Sequence, residues 1–207
     1  MSDQATPSPL AAHRPSRRVD IIDAAIHRFA RNGFADTSIG DIAEEAGVVV
    51  TAVYYHFSGK EELFSAAVHR VFESISAVVA EARGDEEPGF PPSLDLVIDA
   101  VWGWIDSHPE EATLLYLQLP GATRQITTLR QEFEDQHAQR AFGYFRPGVR
   151  SRPSAAQRGL DSLRARTLVD LTISVHTMRL ADGPLSEESS DKLRAAVHDL
   201  AHRLVDA

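Results

Sequence analysis

Between Thr37 and Lys60 the chain reads TSIGDIAEEAGVVVTAVYYHFSGK, and the chemistry this stretch offers is recognition rather than bond making. Ala43, Gly47 and Val53 set the spacing. Ala43 is small where two crossing helices come close. Gly47 stands where the chain turns, and glycine takes a positive φ at little steric cost. Val53 faces back onto the first of the two helices. This is the helix-turn-helix pattern, whose second helix enters the major groove of DNA. Val49, Val50, Thr51 and Ala52 lie at the turn and the start of that second helix. With Tyr54 and Tyr55 they form its outward surface. VVVTAVYYHF is rich in strand-favouring residues, but it does not alternate, has no strand-like neighbour and is flanked by helical runs, so a helix is expected there.

Other candidate chemistry is sparse. There is no G-x-S-x-G and no phosphate-cradling glycine loop, and Gly59-Lys60 lacks the upstream glycine. His198 and His202, one helical turn apart, can bind a metal, but no third ligand is evident in the sequence and a solvated or interface face is expected. No enzyme activity, metal or cofactor is expected.

The elements that hold the Thr37–Lys60 stretch are helical. Val19, Ile22, Ile26 and Phe29 make an apolar stripe on a first helix from Arg17 to Asn32, ended by Asn32-Gly33. Ser38 with Asp41 resembles a capping box for the second, in which Gly40 is a weak point. Ser58 with Glu61 signals a fourth helix running to about Arg83. GDEEPGFPP at 84–92 is a break. A fifth helix covers Ser93 to Ser107, and Pro109, Glu110 and Glu111 open a sixth that stops at Pro120-Gly121. A seventh runs from Thr123 to Phe145. After PGVRSRPS, Ser154 with Gln157 caps an eighth reaching Ala181. Ser186 opens a ninth, ending near Val205. The class is all-α, with nine helices.

Thr37-Ser38, Asp41-Ile42-Ala43, Ala46-Gly47-Val48, Val53-Tyr54-Tyr55-His56-Phe57 and Lys60 with Glu61, Glu62 and Leu63 resemble the DNA-binding domain of TetR-type transcriptional regulators. The helix from Arg17 to Asn32 and the following Gly33-Phe34 fit the same pattern. The close match covers roughly residues 16–70. Beyond it the likeness lies in length and helical organisation. The resemblance implies a flexible arm at 1–15, a DNA-binding domain at 16–62 and a helical ligand-binding and dimerisation domain at 63–207. It implies that Val49, Val50, Thr51, Ala52, Tyr54 and Tyr55 meet bases and phosphates, and that Thr37, Ser38 and Lys60 grip the backbone, with Arg18 beside them. One departure stands out. Val49 replaces a frequent serine and cannot cap the recognition helix. Val49, Val50 and Ala52 are then expected against thymine methyl groups, unless the two valines only pack the turn. Phe57 is expected in the core and His56 in a structural role.

The chain of 207 residues holds no cysteine, which suits a reducing cytosol, and carries a net charge of −9. That length suffices to bury roughly 70% of the unfolded surface. The polar N-terminus lacks an apolar signal core, and no apolar stretch of about 18 residues is evident. Net charge is −1 over residues 1–60 and −8 over the remainder, so any basic patch is local: Arg14, Arg17, Arg18 and Lys60. An acidic body suppresses non-specific adhesion to DNA and argues against an architectural role.

In the eighth helix Leu160, Leu163, Leu171, Val175 and Met178 make one apolar stripe, interrupted by Thr167. Val169, Ile173, His176 and Leu180 make another, as in a sandwiched helix. The ninth offers Leu193, Val197, Leu200 and Leu204. The resemblance implies a homodimer through these two helices, with Leu171, Val175, Leu193, Val197, Leu200 and Leu204 at the interface. Its recognition helices would be spaced roughly 34–36 Å apart for a palindromic operator. It also implies a small, largely apolar effector, with Trp102, Trp104, Tyr116, Phe133, His137, Tyr144 and His176 as candidate contacts. The expected reading is a cytoplasmic, ligand-responsive regulator of double-stranded DNA, with the ligand shifting the fourth helix. A DNA-binding regulator without a ligand, and a ligand-binding protein that no longer reads DNA, are the alternatives.

Overall fold

A computed structural model describes residues 17–84, 93–119, 123–145, 154–183 and 185–206. Among them there is no strand, and the nine α-helices are α1 (Arg17–Asn32), α2 (Ile39–Glu45), α3 (Val50–His56), α4 (Lys60–Arg83), α5 (Leu94–Ser107), α6 (Pro109–Thr113), α7 (Arg124–Ala141), α8 (Ala155–Leu180) and α9 (Ser190–Asp206). The α6 helix continues into a π turn, Leu114–Gln118, and α7 into a 3-10 turn, Phe142–Phe145. The expected arm at 1–15, Arg14, Pro120-Gly121 and most of the two expected loops at 84–92 and 147–154 lie outside the described residues.

Capping chemistry sets most boundaries. The Ser38 hydroxyl accepts from the Asp41 amide at 3.1 Å while Asp41 accepts from the Ser38 amide at 2.9 Å, a complete capping box. Ser93, Thr123 and Ser154 cap α5, α7 and α8 in the same sense. Two expected boundaries differ. Gly59 takes the N-cap of α4, so the reciprocal partner of Ser58 is Glu62, not Glu61; both the amide and hydroxyl of Ser58 donate to it. Ser186 does not open α9. Its hydroxyl donates to Gly183 O and closes a turn, and the helix begins at Ser190 behind Ser189.

One continuous core crosses the 62/63 boundary. Phe29, Phe34 and Phe64 meet as a trio, with Phe29 and Phe64 edge-to-face at 4.7 Å. The same buried cluster takes in Val53 and Phe57 from the turn region, Leu63 to Val79 of α4, Trp104 and Ile105 of α5, and Leu114 to Leu119. By length and composition α4 resembles a membrane span, contrary to the expectation that no such stretch exists, but half of that span is buried in this core. Gln118 of the π turn donates to Ala30 O at 3.2 Å and ties this region to α1. A second cluster joins Leu94, Ile98 and Trp102 to Leu168, Val175, Leu193 and Val197. Val175, Leu193 and Val197, expected at an interface, are buried here in the core of their own chain. The large apolar side chains left exposed on α8 and α9 are Leu160, Leu163, Met178 and Leu200. Leu171 and Leu204 are half-buried.

His176, 1% exposed, lies between Trp102, at 4.6 Å between ring centroids, and Tyr116, at 5.5 Å. Burial, with Arg179 as the lesser cause, depresses its pKa to about 3.

Two measurements follow from these local conformations. Gly47 has φ +63°, so Gly47→Ala is strained and should cost about 1–2 kcal/mol. Gly40 sits in ordinary helical space with only Ser38 Oγ near a new Cβ, at 3.5 Å, so Gly40→Ala should add up to about 1 kcal/mol. Urea denaturation reads both. The unfolded chain protonates His176 near pH 6.5 and the folded chain only near 3, so stability should fall as pH drops through that window and gain no slope from this ring above it. Between about pH 6.5 and 5, His176→Phe should remove up to about 2 kcal/mol of that loss.

Candidate nucleic-acid interface and ligand cavity

The α3 helix is short, and its placement comes from one buried contact line. Val53 is fully buried against the core, Ala43 packs beneath it, and Gly47 takes the left-handed conformation that lets α2 and α3 cross. Burying that side turns the other outward. Val49 is 69% exposed, Val50 42%, Tyr54 55% and Tyr55 85%. Thr51 is exposed and Ala52 half-buried on the same surface. The two valines are thus surface groups, not turn packing. Val49 is the N-cap of α3 and supplies no side-chain hydrogen bond, as its chemistry requires. Four adjacent apolar or aromatic side chains in water mark a contact surface.

The polar groups flanking it divide. Lys60 donates to Phe34 O at 2.8 Å and Ala35 O at 3.2 Å, with its ammonium 4.5 Å from the Phe34 ring centroid. Arg18 is exposed and stacks 5.0 Å over the buried Phe57 ring. Ser38 is exposed, with its hydroxyl engaged by Asp41. A cleft lined by Ser38, Val50, Tyr54 and Lys60 opens beside them. Thr37 departs from expectation. It is 1% exposed, and its hydroxyl donates to Gly33 O at 2.7 Å and Arg28 O at 3.2 Å. It closes the end of α1, and that burial removes it from the surface donors. His56 is half-buried and packs edge-on to Tyr55.

In the C-terminal half a cavity of about 100 Å³ lies between α4, α5, α7 and α8. Four of the seven candidate ligand contacts reach it: Tyr116, Phe133, His137 and Tyr144. Trp102, Trp104 and His176 do not line it. Trp102 and Trp104 turn their indole N–H groups to Ser190 and Ser74, and each ring lies in a separate core cluster. Their helical spacing could not distinguish a cavity wall from the core behind it.

Two arginines are walls that the sequence pattern did not single out, Arg83 at the end of α4 and Arg140 at the end of α7. Arg83 donates to Arg140 O at 3.1 Å and lies 5.5 Å from the Tyr144 ring centroid. The described walls include no carboxylate, and the remainder are mostly valine, leucine and isoleucine. His137 donates from Nδ1 to Phe133 O at 2.9 Å, which leaves Nε2 as the bare acceptor. That Nε2 and Arg140 Nη1 are buried with no hydrogen-bond partner. Burial lowers the His137 pKa, so the ring is neutral at pH 7. Burial also pushes the Tyr116 phenol up. The cavity offers an apolar body, an unsatisfied guanidinium donor, an unsatisfied imidazole acceptor and no carboxylate among its described walls.

Comparison with known proteins agrees with this geometry. Residues 21–67 match the family described as bacterial regulatory proteins, tetR family. The regulator AcrR of Shigella flexneri is 35% identical over 74 residues, 36% of this chain and 33% of AcrR. The chain therefore spans about a third of the length of such relatives. Whole-chain likeness is to solved structures. A putative transcriptional regulator from Pseudomonas aeruginosa PAO1 matches with TM-score 0.74 and 19% identity, over 95% of this chain and 94% of that one. FadR from Bacillus subtilis, solved in complex with stearoyl-CoA, matches with TM-score 0.69 and 18% identity, over 90% and 97%. These identities speak for the fold alone. The N-terminal segment thus matches the tetR family of bacterial regulatory proteins over residues 21–67, and along its length the chain has the same all-helical fold as solved regulators of that type.

Proposed function

We propose that this chain is a cytoplasmic, DNA-binding transcriptional repressor that reads a palindromic operator as a dimer and is released by a small amphipathic anion. The observation that carries the reading is the outward set Val49, Val50, Tyr54 and Tyr55 on a helix otherwise anchored in the core. The valines and Ala52 suit thymine methyl groups, while Thr51 and the tyrosines donate hydrogen bonds. Arg18, Ser38 and Lys60 stand at the flanks for phosphates. The acidic charge of the body, −8 beyond residue 60, disfavours non-specific binding.

Two unpartnered buried donors or acceptors in one cavity favour a ligand over a filled core. A carboxylate would pair with Arg140 and draw a proton onto His137 Nε2. The acyl ligand of a protein of the same fold is consistent with an apolar body and an anionic group. Here the cavity, about 100 Å³, is smaller than the void of about 150 Å³ that holds benzene, so the effector is a short carboxylic acid. The α4 helix links the two sites. It begins at Lys60 beside the reading surface and ends at Arg83 in the cavity wall, about 36 Å away. A ligand that prefers one position of α4 shifts operator affinity by that preference.

Incubating the full chain with sheared genomic DNA at near-physiological salt should recover palindromic sites. Short carboxylates, but not their amides, should release them. Arg140→Leu should keep operator affinity and lose release. Recovery of no site, with or without carboxylates, would overturn the reading. A second copy is assigned to the exposed Leu160, Leu163, Met178 and Leu200 face. Leu163→Glu should sediment as a folded monomer and bind the palindrome about tenfold or more weakly, a loss of at least about 1.4 kcal/mol.

A further inference from the structure

The geometry points to a divalent transition-metal site that clips α5 to α9 through Asp95, His198 and His202. One ligand atom from each of the three residues lies within 4.8 Å of the other two. Asp95 Oδ1 is 2.7 Å from His198 Nδ1 and 2.8 Å from His202 Nε2. The histidines stand one turn apart on the same face of α9, and the carboxylate comes from the first turn of α5, more than a hundred residues away. Two imidazoles and one carboxylate converging from one side, with the other side open to water, is a donor set suited to zinc, cobalt or nickel rather than calcium or magnesium.

A fourth residue separates this cluster from a simple surface ion pair. His198 Nε2 lies 3.0 Å from Asp99 Oδ1, one turn further along α5. A metal-ligating histidine almost always gives its other ring N–H to such a carboxylate, which fixes the tautomer and aims the free nitrogen at the ion. With Nε2–H given to Asp99, His198 Nδ1 is the ligand atom, and it is the one that faces Asp95 and His202. A cation would replace the protons now bridging these groups and spread them by a few tenths of an ångström to ligand distances of about 2.0–2.2 Å. Asp95 adjoins Leu94, and Leu94 and Ile98 line the cavity, so the ion would also hold that wall against α9.

The test uses the tag-free full chain, freed of metal by chelator dialysis. Cobalt(II) titration followed by visible absorption, with zinc competition, should show one equivalent per chain and an increase in Tm. His202→Gln and Asp95→Asn should each weaken binding by about 100-fold, and Asp99→Asn by about 10–100-fold. All three change exposed or half-exposed side chains, so helix content and Tm in chelator should match the parent. Failure to bind one equivalent, or equal affinity in the His202 and Asp95 variants, would overturn the site.

Discussion

The apolar seam along α4 is the contact on which the rest of this structure depends. Leu63, Phe64, Ala67, Val68, Val71, Phe72, Ile75 and Val79 are all buried, and they serve both halves of the chain in turn. Phe64 locks Phe29 and Phe34 at the base of the reading domain. Phe72 stacks on Phe133 of α7 at 4.0 Å, and Ile75 and Val79 form cavity wall. A packed core transmits displacement because it has no room to absorb it. The same seam explains why a helix with the length and hydropathy of a membrane span belongs here to a core.

This arrangement makes α1 a second route between the halves. Gln118 reaches Ala30 O, and its side-chain oxygen would lie 3.0 Å from a Cβ on Gly33. Elsewhere on α1, His27 and Arg31 contact Glu110 at the start of α6. The α3 helix packs on α1 and α2, with Val53 and the following Phe57 buried in the core. Its seven residues are too few to hold a helix by themselves, so the orientation of the reading surface is set by what α1 and α4 do beneath it.

Local chemistry made the helices legible. The Ser38–Asp41 box, Pro109 and the caps at Thr123 and Ser154 are decided within four residues, so sequence alone reveals them. So does the glycine turn at Gly47, because only a left-handed residue completes the crossing. What periodicity does not reveal is which neighbour an apolar stripe meets. Leu193 and Val197 repeat at interface spacing yet face α5 and α8 of their own chain. Trp102 and Trp104 stand two residues apart and point into different cores. Thr37 has the right type for phosphate, but its hydroxyl is held by two carbonyls nine and four residues back. The π turn at Leu114–Gln118 meets α1, more than 80 residues away, through Gln118.

The polar clusters show the same limit in sharper form. His198 and His202 are visible as a pair, while Asp95 and Asp99 are an unremarked i,i+4 pair on another helix; only docking α5 on α9 makes them one constellation. Arg83 and Arg140 are ordinary helix-ending cations in sequence, suited to the negative end of a helix dipole. Folding brings both to the mouth of an apolar cavity and leaves one guanidinium nitrogen and one imidazole nitrogen unsatisfied. A buried polar atom without a partner costs about 1–3 kcal/mol. Leucine and phenylalanine in their places would remove that cost, whereas the proposed carboxylate would offset it by completing the hydrogen bonds.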